Sequence, residues 1–342
     1  IEALRERVDH GGFGYTIPGA GVYQAVMNWL SWRHNWPVEK SWIAFSPGVV
    51  PAINLALLAF TQPGDKVIIQ PPVYYPFFNV VKNNGRQIIE NPLIEENGLY
   101  SMDFEGLERQ MRDPRARVLI LCSPHNPVGR VWRVEELTRL AELCLKHHIL
   151  LISDEIHHDL VFKPHRHIPA ATLSPEAARN TVTLLAPSKT FNLAGLHTSV
   201  TVIADEELRK RFANAQDNIG VGHTTIFGAL ALETAYAQGE GWLEEVMAYL
   251  EGNLDFLMDF LAARLPGVKM RKPEGTYLAW LDFRGLGLGP AELNERLLKG
   301  ARVGFNDGGM FGAGGQGFER VNVGCPRATL AQALEQMAAV LA

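Results

Sequence analysis

Seven short apolar runs, spread over roughly the first 205 residues, constrain most tightly what this chain can fold into. They are SWIAFS (41–46), KVIIQ (66–70), RQIIENP (86–92), RVLILCS (117–123), ILLISDE (149–155), TVTLLAP (181–187) and SVTVIA (199–204). Several are continuous, with no polar alternation, which marks strands covered on both faces. The segments between them are patterned for helix; within 133–148, Leu137, Leu140, Ala141 and Cys144 share one face, so Cys144 reads as core. Strands alternating with helices predict an α/β architecture with a mostly parallel seven-stranded sheet. A long helical pattern from Trp242 to Leu265 follows, and beyond Pro266 the order strand, strand, helix, strand, strand, helix predicts a smaller α+β unit. The domain reading is thus 10–241 for a large sheet domain and 242–342 for the long helix with a small C-terminal domain. At the start, Ile1, Leu4 and Val8 recur at helical spacing with no initial methionine or capping residue. Residues 1–9 therefore read as the remnant of a longer N-terminal segment. The run NDGGMFGAGGQGFER (306–320) is glycine-rich enough to read as a mobile loop.

Composition narrows the class. With 342 residues, 47% of them apolar, the chain can bury a large core. A net charge of −5 with scattered Lys and Arg argues against nucleic acid as a partner. The apolar stretch 49–60 is well short of the roughly 20 residues of a membrane span, so no membrane is expected either. Cys122, Cys144 and Cys325 are odd in number and widely separated, which suits a reducing cytoplasm, the expected location.

In open α/β sheets ligands bind beyond the carboxyl ends of the strands, so the residues just after each run are the candidates for chemistry. After SWIAFS, Gly48 permits a turn, and the Val49 and Val50 N–H groups would open a helix suited to an anion, although a plain turn has the same signature. After RVLILCS, Asn126 stands between two prolines, either as part of a rigid loop or as a ligand contact. After ILLIS, Asp154 ends an apolar strand, where a carboxylate needs a cation or hydrogen bonds; a structural cap would also satisfy it. His157, His158, His165 and His167 follow, but without the Cys or carboxylate spacing of a zinc site, and no metal is expected. Lys189 follows TVTLLAP; on its own it could be a solvated charge. As an ordered set, an anion cradle, an asparagine, an aspartate and a lysine suit pyridoxal 5′-phosphate (PLP). Its phosphate takes N–H groups and a hydroxyl, its ring nitrogen an acid, and its aldehyde a lysine amine.

The sequence resembles the fold-type I PLP enzymes of the class I/II aminotransferase superfamily, and within them the MalY/PatB group of cystathionine β-lyases, or C–S lyases. The resemblance runs over nearly the whole chain. It is carried by GVVPAI, PPVYYPF, SPHNPVGRVW, SDEIHHDLVF, PSKTFNLAGL, EGTYLAWLDFR, FNDGGMFGAGGQGF and ERVNVGCPR. It implies the PLP-dependent transferase fold of type I, with Lys189 bonded to the cofactor and acting as base, and Asp154 paired with the ring nitrogen. It also implies that Asn126 binds the ring hydroxyl, Tyr74 stacks on the ring, His157 lies beside the cofactor, and Ser188 joins Gly48, Val49 and Val50 around the phosphate. Tyr15, in GFGYT, resembles the tyrosine that reaches the neighbouring subunit's phosphate, which implies a homodimer with active sites at the interface. Arg320 matches the arginine that clamps the substrate α-carboxylate, and the nearby Arg327 reads as structural. Where many aminotransferases place an arginine for the phosphate, GLHTS offers His197 and none.

That departure moves the expectation from amino transfer to β-elimination. The expected activity is a PLP-dependent C–S β-lyase cleaving L-cystathionine or related cysteine S-conjugates, small sulfur amino acids, to a thiol, pyruvate and ammonia. The alternatives are a class I/II aminotransferase acting on amino acids and, outside catalysis, a regulatory protein that binds a transcription activator, as the resemblance allows.

Overall fold

The computed structural model describes residues 1–341 apart from His223. All seven predicted strands form: β1 (Ile43–Ser46), β2 (Lys66–Ile69), β3 (Gln87–Glu90), β4 (Ala116–Cys122), β5 (Leu150–Asp154), β6 (Thr181–Leu185) and β7 (Ser199–Ile203). They make one sheet in the order β1-β7-β6-β5-β4-β2-β3. Only β7 is antiparallel to its neighbours, and the other pairings are parallel. The continuous apolar runs are explained by cover on both faces. Val67, Ile69, Val118, Ile120, Ile152 and Val182 pack with the helices Val49–Phe60 and Glu206–Ile219. The alternate residues Ile68, Leu119, Leu121 and Leu151 pack with the helices Phe104–Met111 and Val134–Lys146, whose buried residues include Leu137, Leu140, Ala141 and Cys144. Side chains alternate between the faces of a strand, so a strand with no polar positions must be sandwiched.

After the helix Glu240–Arg264, a second sheet forms from β8 (Lys269–Met270), β9 (Leu278–Asp282), β10 (Asn306–Asp307) and β11 (Phe318–Asn322), antiparallel in the order β8-β9-β11-β10. The C-terminal helix Arg327–Leu341 closes the predicted order of elements. Leu254, Leu257 and Leu261 of the long helix meet Ala279, Leu281, Val321, Leu334 and Met337 in one apolar cluster. Glu2–His10 is helical, as its spacing predicts.

The glycine-rich run 306–320 corrects the expectation of a mobile loop. Phe311 and Gly308 are buried, and a Cβ on Gly308 would stand 2.1 Å from the Gly315 carbonyl oxygen. These two glycines serve close backbone packing rather than freedom. Among the described residues no helix is long and apolar enough to cross a membrane, and all three cysteines are free.

Candidate active site

Strand register assembles the site. Cys122 at the end of β4 pairs with Asp154 at the end of β5, and Asp154 pairs with Leu184 near the end of β6. Asn126 and Lys189, four and five residues beyond Cys122 and Leu184, are thereby delivered to one rim. Across β7, Ser46 at the end of β1 pairs with Ser199, which brings Gly48 beside His197 and Thr198. These residues line a cavity of about 580 Å³, together with Val49, Val50, Tyr74, His157, Ser188 and Arg320. Of the sequence-predicted site residues, ten of the eleven meet there; Tyr15 is apart and fully exposed. Arg327 is not among the lining residues. Its Nε donates to Asn253 and its guanidinium lies over the Phe256 ring, the structural role expected of it.

Gly48 takes φ +127° and ψ 162°, a conformation strained for any residue with a Cβ, and opens the helix Val49–Phe60. No acceptor among the described residues meets the N–H groups of Val49 and Val50, which makes the helix start an anion cradle. Ser188 and Lys189 follow β6 on the single turn Pro187–Thr190. Lys189 has no carboxylate within ion-pair distance among the described residues; burial, then Arg320, lower its pKa against the pull of Asp154. Asp154 is 3% exposed, and its carboxylate accepts from the Ile156 N–H at 3.1 Å. Burial raises it to about 7, with the Ile156 bond and Lys189 opposing and Glu155 adding.

Arg320 comes from β11 of the second sheet. One terminal nitrogen donates to Asn126 Oδ1 at 2.9 Å and the other to Asn306 Oδ1 at 2.8 Å, while Nε has no partner among the described residues. Both acceptors are neutral amides. Three of a guanidinium's five N–H donors therefore stay available, with no anion among the described residues to neutralise the charge. Arg320 also lies over the Phe311 ring, 4.8 Å from its centroid, which fixes the plane of the fork. His157 Nδ1 and Thr198 Oγ1 are buried without partners among the described residues. Burial, with Lys189 and Arg320 adding, lowers His157 to about 3, so its ring is neutral at pH 7. Burial, with Asp154 adding, pushes Tyr74 up to about 12 and keeps it a phenol.

Sequence reasoning missed Tyr75, Cys122, Tyr277 and Asn322 on the cavity wall and Asn306 behind Arg320. Tyr277 was visible as an aromatic directly ahead of an apolar strand run, but nothing local says that this end faces the cavity. Asn306 is opposite Arg320 in the β10–β11 register, a pairing that no spacing reveals.

The residues fit PLP. Among the described residues, a buried carboxylate without an ion-pair partner, a lysine without one, and a helix start with free N–H groups are an arrangement that a phosphate-bearing pyridinium aldehyde satisfies. The cavity volume suits a cofactor with a small substrate.

The family described as aminotransferase class I and II matches residues 2–337. The chain is 48% identical over 340 residues to the cystathionine beta-lyase PatB of Bacillus subtilis strain 168, covering 99% of this chain and 88% of that one. It is 32% identical over 332 residues to protein MalY of Escherichia coli strain K12, covering 96% and 84%. Among solved structures it superposes on cystalysin of Treponema denticola, which contains a pyridoxal 5′-phosphate cofactor. The TM-score is 0.97 at 39% identity, over 99% of this chain and 86% of that one.

Proposed function

We propose that this chain, which belongs to the class I and II aminotransferase family, is a PLP-dependent carbon–sulfur β-lyase that releases a thiol, pyruvate and ammonia from L-cystathionine or related cysteine S-conjugates. The observation that carries the reading is the presence, in one cavity with Lys189, of Arg320 and Asp154, neither of which has an ion-pair partner among the described residues. An amino-acid substrate supplies the missing carboxylate, and the cofactor supplies the missing cation.

When bound, PLP supplies an aldehyde for the amine and a ring that accepts the electrons of the broken Cα–H bond. The Val49 and Val50 N–H groups and the Ser188 hydroxyl would hold its phosphate, Asn126 its ring hydroxyl, and Tyr74 its ring face. Asp154 holds a proton at the ring nitrogen, a role suited to a carboxylate with no other cation. Arg320 takes the substrate α-carboxylate on its free N–H donors, oriented by Asn126 and Asn306. Lys189 Nζ, its basicity reduced by burial, removes the substrate Cα proton as general base. The electron pair of the broken Cα–H bond then forms the Cα–Cβ double bond as the Cβ–S bond breaks and sulfur leaves as thiolate; the three-carbon enamine set free tautomerises to an imine, which water hydrolyses to pyruvate and ammonia. His197, in place of an arginine at this rim, supports elimination over amino transfer.

The deciding assay supplies L-cystathionine alone and, separately, an amino acid with 2-oxoglutarate. Pyruvate release in the first and little glutamate in the second are expected; glutamate in excess of pyruvate would make the chain an aminotransferase. Lys189→Ala is expected to abolish both pyruvate release and the visible absorbance of the bound cofactor.

Two further parts belong to this reading. The chain acts as a homodimer, supported by the exposed Phe13, Tyr15 and Ile17, a run of large apolar side chains that water disfavours. Its location is the cytoplasm, supported by three unpaired cysteines, two of them buried.

A further inference from the structure

A second group of chemically capable side chains lies outside the cavity above, at a groove of about 1160 Å³ bordered by Trp32, Phe162 and Glu244. His34 ends the helix Ala20–His34, and His158 and Asp159 stand in the turn that follows β5. The Asp159 side chain is fully buried, that of His158 is 1% exposed and that of His34 is 5% exposed. His34 Nε2 lies 2.8 Å from Asp159 Oδ1, and His158 Nε2 lies 3.2 Å from Asp159 Oδ2. One ligand atom from each of the three falls within 4.8 Å of the others.

His158 is the residue that points to a ligand. Its Nδ1 stands 2.8 Å from the Glu155 carbonyl oxygen, which can only accept, so Nδ1 carries the proton. Its other ring nitrogen, Nε2, is buried and has no hydrogen-bond partner among the described residues. Asp159 Oδ2 stands 3.2 Å from it, on a carboxylate that already accepts from Trp29 Nε1 and Thr190 Oγ1. A buried ring nitrogen left without a hydrogen-bond partner 3.2 Å from a carboxylate oxygen is an arrangement that a cation bound by both satisfies. Histidines that bind metals are held in this same way, with the other ring nitrogen donating to a backbone carbonyl.

We propose that His34 Nε2, His158 Nε2 and Asp159 bind one divalent transition-metal ion of the zinc class. Ligand atoms about 2.0–2.2 Å from a tetrahedral zinc stand roughly 3.3–3.5 Å apart, so the two short spacings need only small side-chain shifts. Two imidazoles and a carboxylate favour zinc, cobalt or nickel over magnesium or calcium, and water supplies the fourth position. His34 presents Nε2 as a lone pair by taking its other tautomer. Arg33 Nε, 3.3 Å from Asp159 Oδ1, withdraws toward Glu244, which already holds the same guanidinium at 2.9 Å. Asp159 also ties the ion to chemistry: the Thr190 hydroxyl donates to it at 2.8 Å, one residue from Lys189. The metal site itself does not depend on the lyase reading.

Calorimetric titration of the cofactor-loaded protein with zinc chloride is expected to show one ion per chain, and cobalt in its place to give the visible bands of a four-coordinate site. His34→Asn and His158→Gln are each expected to weaken binding by at least about tenfold, while Cys325→Ser leaves it unchanged. Circular dichroism establishes the fold of each variant; should His158→Gln not fold, His34→Asn decides. A zinc-dependent rise in Tm of the unsubstituted protein reports the same binding independently. No saturable binding at several-fold excess of zinc overturns the proposal, as does binding that survives in the histidine variants or is lost in Cys325→Ser.

Discussion

Asp154 and Arg320 are charges folded away from their ordinary partners, and each makes a separate expectation. In the cofactor-free chain, burial raises Asp154 from 3.8 to about 7, so the folded state holds a proton that the unfolded state releases near pH 4. Between about pH 4 and 7 the native state binds more protons, and stability falls as pH rises. Asp154→Asn removes that slope: the variant is expected to match the unsubstituted cofactor-free chain below pH 4 and to exceed it by a few kcal/mol, in order of magnitude, above pH 7. Thermal melts across this range measure the difference, and equal melts at pH 8 would remove the case for an unpaired carboxylate. For Arg320, a charge-assisted pair is worth about 1.5–3 kcal/mol. Arg320→Lys keeps the charge but loses the fork, so KM for the amino acid is expected to rise by roughly tenfold or more with a smaller change in kcat. A fall in kcat alone would assign the arginine another role.

The elements act through their ends. A parallel strand can be buried along its length only if its polar business is moved to the turn that follows, and β4, β5 and β6 each do so. Gly48 is the most exacting of these turns, because its φ of +127° belongs to glycine while the space around it is open, the nearest atom to a Cβ being Pro51 Cδ at 3.6 Å. The cost of Gly48→Ala is therefore backbone strain and not collision, about 1–3 kcal/mol. The urea midpoint is expected to fall with the m-value unchanged, and the cofactor to dissociate more readily as the Val49 and Val50 N–H groups are displaced. Retention of both midpoint and cofactor affinity would mean that the turn relaxes freely.

The whole molecule contributes what no single sheet holds. Arg320 and its partner Asn306 come from the second sheet, Tyr277 from the segment before β9, and the buried Arg130 joins the loop after β4 to Glu274 at 2.9 Å. Beyond one chain, Tyr15 serves only a partner's cavity on the homodimer reading. A hybrid dimer of Tyr15→Ala and Lys189→Ala subunits then contains one site with both residues intact. Mixing the two inactive homodimers under exchanging conditions is expected to restore activity to a fraction of the native level. No recovery in verified hybrids would confine Tyr15 to its own chain.

The chain's sequence alone determined the α/β class, all seven strands of the large sheet, the order of elements after the long helix, and ten of the residues now found around one cavity. These were legible because burial on both faces writes itself as a continuous apolar run, and because chemistry in such a sheet is confined to the residues after each strand. The packing of the glycine-rich run 306–320 was not legible: glycine composition reads the same whether it serves freedom or close approach. Asn306 behind Arg320, and His34 beside His158 and Asp159, were equally hidden, since each pair is joined by a contact that sequence distance conceals. Local pattern reports how a residue is buried, and only the tertiary structure decides what it is buried against, because strand register and helix packing bring together groups whose separation along the chain carries no trace of the contact.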